Sequence, residues 1–204
     1  LVDLLLRTYH FPDGTLFIDG NDVNGLKIKD VRAAIAYVPQ DNFLFSDTIE
    51  NNITFADNRA NHSAVEEAAI ISDVHDNITE FSEGYETVLG ERGVTVSGGQ
   101  KQRISIARAI IKDAPILILD DSVSAVDTNT EKKILDNLRR TRKGKTTLLI
   151  AHRVTAVEQM DKVVFINDGK IAAVGTHDEL YNTNKAYHTM VELQRLDEEK
   201  EDKQ

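Results

Sequence analysis

The chain has 204 residues, 41% of them hydrophobic and 28% charged, with no cysteine and a formal net charge of −10. That length supports one ordinary domain, or a domain carrying a small insertion; the missing cysteines exclude disulfides and thiolate metal sites, and no apolar run approaches the roughly twenty residues of a membrane span. An acidic balance, with a pI near 5.1, repels polyanions, and no basic stripe offsets it, so no nucleic-acid partner is expected.

The absence of disulfides and of a signal-peptide pattern makes a cytosolic setting the expectation, and the Asn-x-Ser/Thr matches at Asn52, Asn61 and Asn77 then read as chance. Leu1 to Thr8 reads as the tail of a helix, with Leu1, Leu4 and Leu5 on one face and Asp3 and Arg7 outside it. Asp13-Gly14 marks a turn, Thr15 to Ile18 an apolar strand, Asp19-Gly20 a second turn, and Ile35 to Val38 a strand closed by Pro39, together a small β region. From His62 to about Lys112 the pattern is helical: Val65, Ala68, Ala69 and Ser72 recur at helical spacing, and Ile104, Ile106, Ala107, Ile110 and Ile111 follow. This predicts an inserted helical lobe. Beyond Pro115, the run Ile116 to Leu119, a helix around Thr130 to Arg140 and the run Thr146 to Ala151 alternate strand and helix, as in a parallel α/β sheet. Val163 to Ile166 and Lys170 to Val174 flank the hairpin signal Asn167-Asp168-Gly169, and Tyr187 to Gln204 reads as a helix whose last charged turns extend into solvent.

Two segments carry chemistry. Val96-Ser97-Gly98-Gly99-Gln100 leads directly into the helical run Lys101 to Arg108. Alone it is equally an ordinary glycine turn, but a helix that starts there aims free N–H groups, a hydroxyl and the positive end of its dipole at an anion, the makings of a phosphate receptor. Some twenty residues later, Ile116-Leu117-Ile118-Leu119 ends in Asp120-Asp121. Either Asp120 caps the following turn, or one carboxylate holds Mg²⁺ and the other orients a water. Thr146 to Ala151 delivers His152 at a strand's C-terminal end, where open α/β sheets bind ligands; a lone histidine there is often structural, and beside the aspartate pair it suggests a γ-phosphate contact. Gly144-Lys145-Thr146-Thr147 imitates the end of a P-loop, but Arg139 stands where the upstream glycine belongs and a β-type run follows, so Lys145 reads as a surface lysine at a turn.

In this order the residues resemble the nucleotide-binding domain of ATP-binding cassette transporters over essentially the whole chain. Val96 to Gln100 resembles the signature motif, Ile116 to Asp120 the Walker B strand, Ser124-Ala125-Val126-Asp127 the D-loop, His152 the H-loop histidine, and Gln40, in Val38-Pro39-Gln40-Asp41-Asn42-Phe43-Leu44-Phe45, the Q-loop glutamine. Thr48 to Ile53, Gly90-Glu91-Arg92-Gly93 and Ala151-His152-Arg153 resemble the multidrug and lipid exporters. The resemblance implies a P-loop NTPase-type (RecA-like) parallel-sheet core with a small antiparallel β region and an inserted helical subdomain: a single domain over 1–204, core 1–56 and 113–204, helical subdomain 57–112. It further implies ATP and Mg²⁺ as ligands. Asp120 and Gln40 would lie at the metal, Asp121 and His152 would be catalytic, and Ser97, Gly98, Gly99, Gln100 and Asp127 would contact nucleotide. The implied partners are a transmembrane domain of the same transporter and a second nucleotide-binding domain, at the cytoplasmic face of the cell membrane.

The sequence departs from the family pattern twice. The Walker A loop and the adenine-stacking aromatic would precede Leu1, so the chain is expected to be a fragment truncated at its N-terminus, to bind MgATP weakly alone, and to expose apolar sheet edges. The residue after Asp120 is Asp121, where active members have glutamate; this resembles the degenerate half of heterodimeric exporters, whose intact signature serves the partner's site. A fully active homodimeric exporter, a nucleotide-sensing module that does not hydrolyse, and a DNA-repair relative of the same fold are the alternatives, and the continuous path from Gln40 to Val96 speaks against the last.

Overall fold

Three short apolar runs build the sheet on which the first unit, Leu1–Ile150, rests. A computed structural model describes residues 1–90 and 94–201. In chain order the first unit runs α1 (Val2–Leu5), β1 (Phe17–Ile18), β2 (Asn21–Asp22), α2 (Ile28–Ala33), β3 (Ile35–Val38), α3 (Ile49–Thr54), α4 (His62–Ile71), α5 (His75–Thr79), α6 (Gly98–Ile111), β4 (Ile116–Asp120), α7 (Thr128–Thr141) and β5 (Thr146–Ile150). Strands β3, β4 and β5 pair in parallel in that order, with Ile35 opposite Ile116 and Ile116 opposite Thr146. The fold class is α/β, as the alternation predicts.

Both faces of this sheet are covered, which is why its strands read as unbroken apolar runs. Ala36, Val38, Leu117 and Leu119 pack on Ile106 of α6 and Ile134 and Leu138 of α7. The alternate residues, Ile35 and Ile118, pack on Val2, Val23 and Val31. Leu148, Leu149 and Ile150 of the edge strand β5 are only half-buried. Helix α6 serves two cores: Ile104 and Ala107 face the helical cluster with Ile49, Ile53, Val65 and Ile78, while Ile106 and Ala109 face the sheet. That helical cluster takes in α3, which precedes residue 57.

Two local expectations change. Helix α1 ends at Leu5, and Val2, Leu5 and Leu6 face the core while Leu1 is exposed, because Arg7 turns into the left-handed region at φ 51°. The strand expected over Thr15 to Ile18 shortens to Phe17–Ile18 and pairs with Asn21–Asp22 about Asp19 (φ 48°) and Gly20 (φ 76°), a turn whose two left-handed residues match strand twist. The helical stretch expected from His62 to about Lys112 comprises α4, α5 and α6. Lys145 does sit at a turn beside Gly144 and pairs with Asp113.

Asn52 explains how the loop after β3 is held. Wholly buried, it accepts the Phe45 N–H at 2.8 Å and donates to the carbonyls of Phe45 at 3.0 Å and Thr48 at 2.9 Å. Arg108 of α6 donates to its Oδ1 at 2.8 Å, to its carbonyl at 2.7 Å and to the Phe43 carbonyl at 2.8 Å. Burial of this kind also rules Asn52 out as a glycan acceptor.

The second unit, Ala151–Gln204, contains α8 (Val154–Val157), β6 (Val163–Asn167), β7 (Lys170–Gly175), α9 (His177–Thr183) and α10 (Lys185–Glu201). Strands β6 and β7 form the predicted hairpin about Asp168 (φ 49°) and Gly169 (φ 71°). Val154, Val163, Leu180, Tyr187 and Val191 form its core. Helix α10 starts two residues earlier than the expected Tyr187, and residues 202–204 lie outside the described residues.

Replacing Asn52 by alanine would strand the Phe45 N–H and one Arg108 donor and would take the amide donor from the Phe45 and Thr48 carbonyls; we expect a loss of about 3 kcal/mol in denaturant unfolding. A second expectation concerns pH. His62 at the start of α4 is 2.7 Å from Glu50 of α3 and 3.5 Å from Glu66, with Glu86 also near, and the Glu50 bond raises its pKa. A raised native pKa stabilises fully below the ordinary histidine value of about 6.5 and is lost as pH rises through the native value. The advantage of wild type over His62→Gln in thermal unfolding should therefore be greatest below about pH 6.5 and shrink as pH rises above it.

Candidate functional site

Parallel strands release their following residues on the same side of the sheet, and here β3 and β4 release Gln40, Asp120 and Asp121 there. Gln40 Nε2 donates to Asp121 Oδ2 at 3.3 Å across 81 residues of sequence. Tyr37 Oη donates to Asp120 Oδ2 at 3.2 Å. Burial, together with the Asp120 charge, pushes the Tyr37 hydroxyl up to about 12, so it remains a proton donor to that carboxylate at neutral pH. Asp121 leaves the strand in the left-handed region at φ 48°. Its N–H donates to the Ile150 carbonyl at 2.8 Å, and its own carbonyl accepts from Ser124 Oγ at 2.8 Å.

The glycine turn is built by reciprocal capping. Ser97 Oγ accepts the Gln100 N–H at 3.2 Å, and Gln100 Oε1 accepts the Ser97 N–H at 2.9 Å. The side chain of Gln100 is thus committed to the turn, while the Ser97 hydroxyl keeps its proton to donate. The N–H groups of Gly98 and Gly99 have no partner among the described residues, and Ser97 and Gly98 are exposed. Gly99 is needed for proximity: a Cβ there would stand 3.0 Å from the Ala125 carbonyl oxygen and 3.3 Å from Val126 Cγ1, whereas one at Gly98 meets nothing closer than 3.9 Å. Gln102 joins the same two segments, accepting the Ala125 N–H at 2.9 Å and donating to Ser124 Oγ at 3.4 Å. Asp127 is the N-cap of α7; Oδ1 accepts the Thr130 N–H at 3.0 Å, which holds its carboxyl below the usual range.

The structure therefore brings Gln40, Asp120 and Asp121 together, and sets the Ser97 turn against Ala125 and Val126. His152 belongs to the second unit, exposed in a bend two residues past β5. Of Gly90-Glu91-Arg92-Gly93, residues 91–93 lie outside the described residues. Tyr37 and Gln102 escaped the sequence reading. Tyr37 is opposite Ile118, so Asp120, two residues on, shares its face; the one polar side chain in an aliphatic strand was the available signal. Gln102 is, with Ser105, a polar residue buried on α6, which only the tertiary contact explains.

The donor set suits Mg²⁺: hard oxygens from Asp120 and the Gln40 side chain at one strand end. Among the described residues no group of three or more His, Cys or acidic side chains could hold a metal by itself.

A family model described as ABC transporter matches residues 1–124. The ATP-dependent lipid A-core flippase of Syntrophus aciditrophicus is 41% identical over 95% of this chain and 32% of its own length. The mitochondrial iron-sulfur clusters transporter atm1 of Neurospora crassa is 38% identical over 96% of this chain and 28% of its own. Among solved structures, a bacterial Atm1-family ABC exporter with ATP bound superposes with a TM-score of 0.90 at 38% identity, covering 95% of this chain and 34% of that one. The chain spans about a third of the length, or less, of the curated relatives it matches.

Because the Gly99 contact is to backbone, which cannot swing away, Gly99→Ala should cost about 1 to 3 kcal/mol in denaturant unfolding while Gly98→Ala leaves stability nearly unchanged.

Proposed function

Because this chain belongs to the ABC transporter family, as a nucleotide-binding domain of exporter type, we propose that it is the ATP-driven motor of an exporter and the slower half of a heterodimeric pair. Among the described residues no helix is long and apolar enough to cross a membrane. The motor therefore acts through a transmembrane domain of the same transporter, at the cytoplasmic face of the membrane. The Gln40–Asp121 contact beside Asp120 carries this reading, because it gathers three Mg²⁺- and water-directed groups from two loops at the strand ends.

ATP is the substrate. Asp120 and Gln40 would hold Mg²⁺, which when bound would supply charge neutralisation at the phosphate oxygens. Asp121 orients the water that attacks the γ-phosphorus; the bond to the bridging oxygen breaks and its electrons leave with ADP. His152 contacts the γ-phosphate. Ser97, Gly98 and Gly99 offer a hydroxyl and two N–H groups to the nucleotide bound by the partner domain, with Gln100 and Asp127 fixing the ends of the two helices that frame that contact.

Asp121 supports the slow-half assignment. Its carboxylate is one methylene shorter than glutamate, and a displacement on the order of 1 Å costs roughly a hundredfold where positioning is the mechanism.

Steady-state ATP hydrolysis by the transporter carrying this chain, alone and with its partner, tests the assignment in wild type, Asp121→Glu and Ser97→Arg. We expect little turnover alone, a rise of about tenfold or more with Asp121→Glu, and loss of the partner's turnover with Ser97→Arg. Fast turnover by wild type alone would make this a homodimeric, fully active exporter, and an unchanged rate with Ser97→Arg would remove the role in the partner's site.

A further inference from the structure

The charged C-terminal helix has no part in the chemistry above, yet one of its residues reaches the His152 loop. Gln194 Nε2 donates to the His152 carbonyl at 2.7 Å, and Gln194 Oε1 accepts the Val154 N–H at 2.8 Å. A single side-chain amide thus pairs with the backbone on either side of Arg153, in the manner of one peptide group bridging to a neighbouring strand. We propose that Gln194 is a positioning residue for His152: it fixes the peptide that follows the histidine and through it the direction of the imidazole. This rests on the reading of His152 as the γ-phosphate contact.

The helix that carries Gln194 is itself anchored. Tyr187, Val191 and Gln194 stand at i, i+4 and i+7 on one face of α10. Tyr187 and Val191 are wholly buried against Val154, Val163 and Leu180. The Tyr187 hydroxyl lies 3.0 Å from His177 Nδ1, and Arg195, next to Gln194, lies 3.5 Å from Glu158 and over the Tyr181 ring. The amide is therefore presented by packed structure. The imidazole, by contrast, is exposed and has no hydrogen-bond partner among the described residues. Its direction depends on the backbone, and the backbone is held by Gln194.

Glutamine suits the task in both length and chemistry. Glutamate can accept from Val154 but cannot donate to the His152 carbonyl, and methionine has the length with neither group. If Gln194 acts through His152, its loss must show in the one property His152 governs, recognition of the third phosphate. ADP lacks that phosphate, so ATP binding should weaken while ADP binding does not.

The test measures ATP and ADP affinity by equilibrium titration, with unfolding temperature and turnover, in the transporter carrying this chain. Wild type is compared with Gln194→Met, Gln194→Glu and His152→Ala. We expect Gln194→Met to weaken ATP binding about tenfold, with ADP binding within about twofold of wild type, Gln194→Glu to fall between, and His152→Ala to match or exceed the methionine variant. Loss of ATP preference in His152→Ala with none in either Gln194 variant overturns the positioning role and leaves the His152 assignment standing. Unchanged preference in His152→Ala overturns that assignment and this inference with it. Equal weakening of ATP and ADP in both Gln194 variants, with a lower unfolding temperature, makes Gln194 a structural residue and overturns the inference.

Discussion

The parallel register of β3 and β4 is the constraint on which the site depends. Val38 lies opposite Leu119, so Gln40 and Asp121, each two residues further on, leave the sheet at the same height and meet. An antiparallel pair would place them at opposite ends, and a slip of one residue would turn Tyr37 away from the face of Asp120. Burial on both faces enforces that register, because a slipped strand would lose its contacts to the helices on either side.

Helix α6 extends this constraint to the glycine turn. Its C-terminal half is apolar on two opposite faces, tying it to the helical cluster and to the sheet at once. Arg108, near its C-terminal end, fixes the loop after β3 through Asn52, and Gln102, nearer its start, fixes the loop after β4. One helix therefore sets where the capped Ser97 turn stands relative to both loops that follow the strands. Gly99 is where this arrangement leaves no room for a side chain.

What the sequence made legible follows from the range of the forces involved. Ile116 to Asp120, the Asp168-Gly169 hairpin and the Ser97 cap are written in neighbouring residues, since capping, turn geometry and strand burial act within a few positions. The pairing of Tyr37 with Asp120, of Gln102 with Ala125 and of Gln194 with His152 joins residues 83, 23 and 42 positions apart. In the sequence Tyr37 is only a polar residue among apolar neighbours, and Gln102 and Gln194 stand beside charged residues that give them nothing to be told apart by. Strand β2 was missed for a related reason: Asn21–Asp22 has no β propensity of its own and pairs because the turn before it brings it back.

Asp121 shows how backbone and chemistry bear on one residue in opposite directions. It sits at φ 48°, where a short polar side chain is tolerated better than a long one. Its N–H and carbonyl are both engaged, by Ile150 and Ser124, so the turn cannot relax to another conformation without breaking them. Aspartate eases that turn and shortens the reach of its carboxylate; glutamate would extend the reach and load the backbone. Strain of this size, of order 1 to 3 kcal/mol for a residue held in a sparse region, persists where the surrounding contacts over-determine it. The surroundings here hold the backbone from two sides, the strand through Ile150 and the Ser124 turn, while Gln40 engages the carboxylate that this backbone presents.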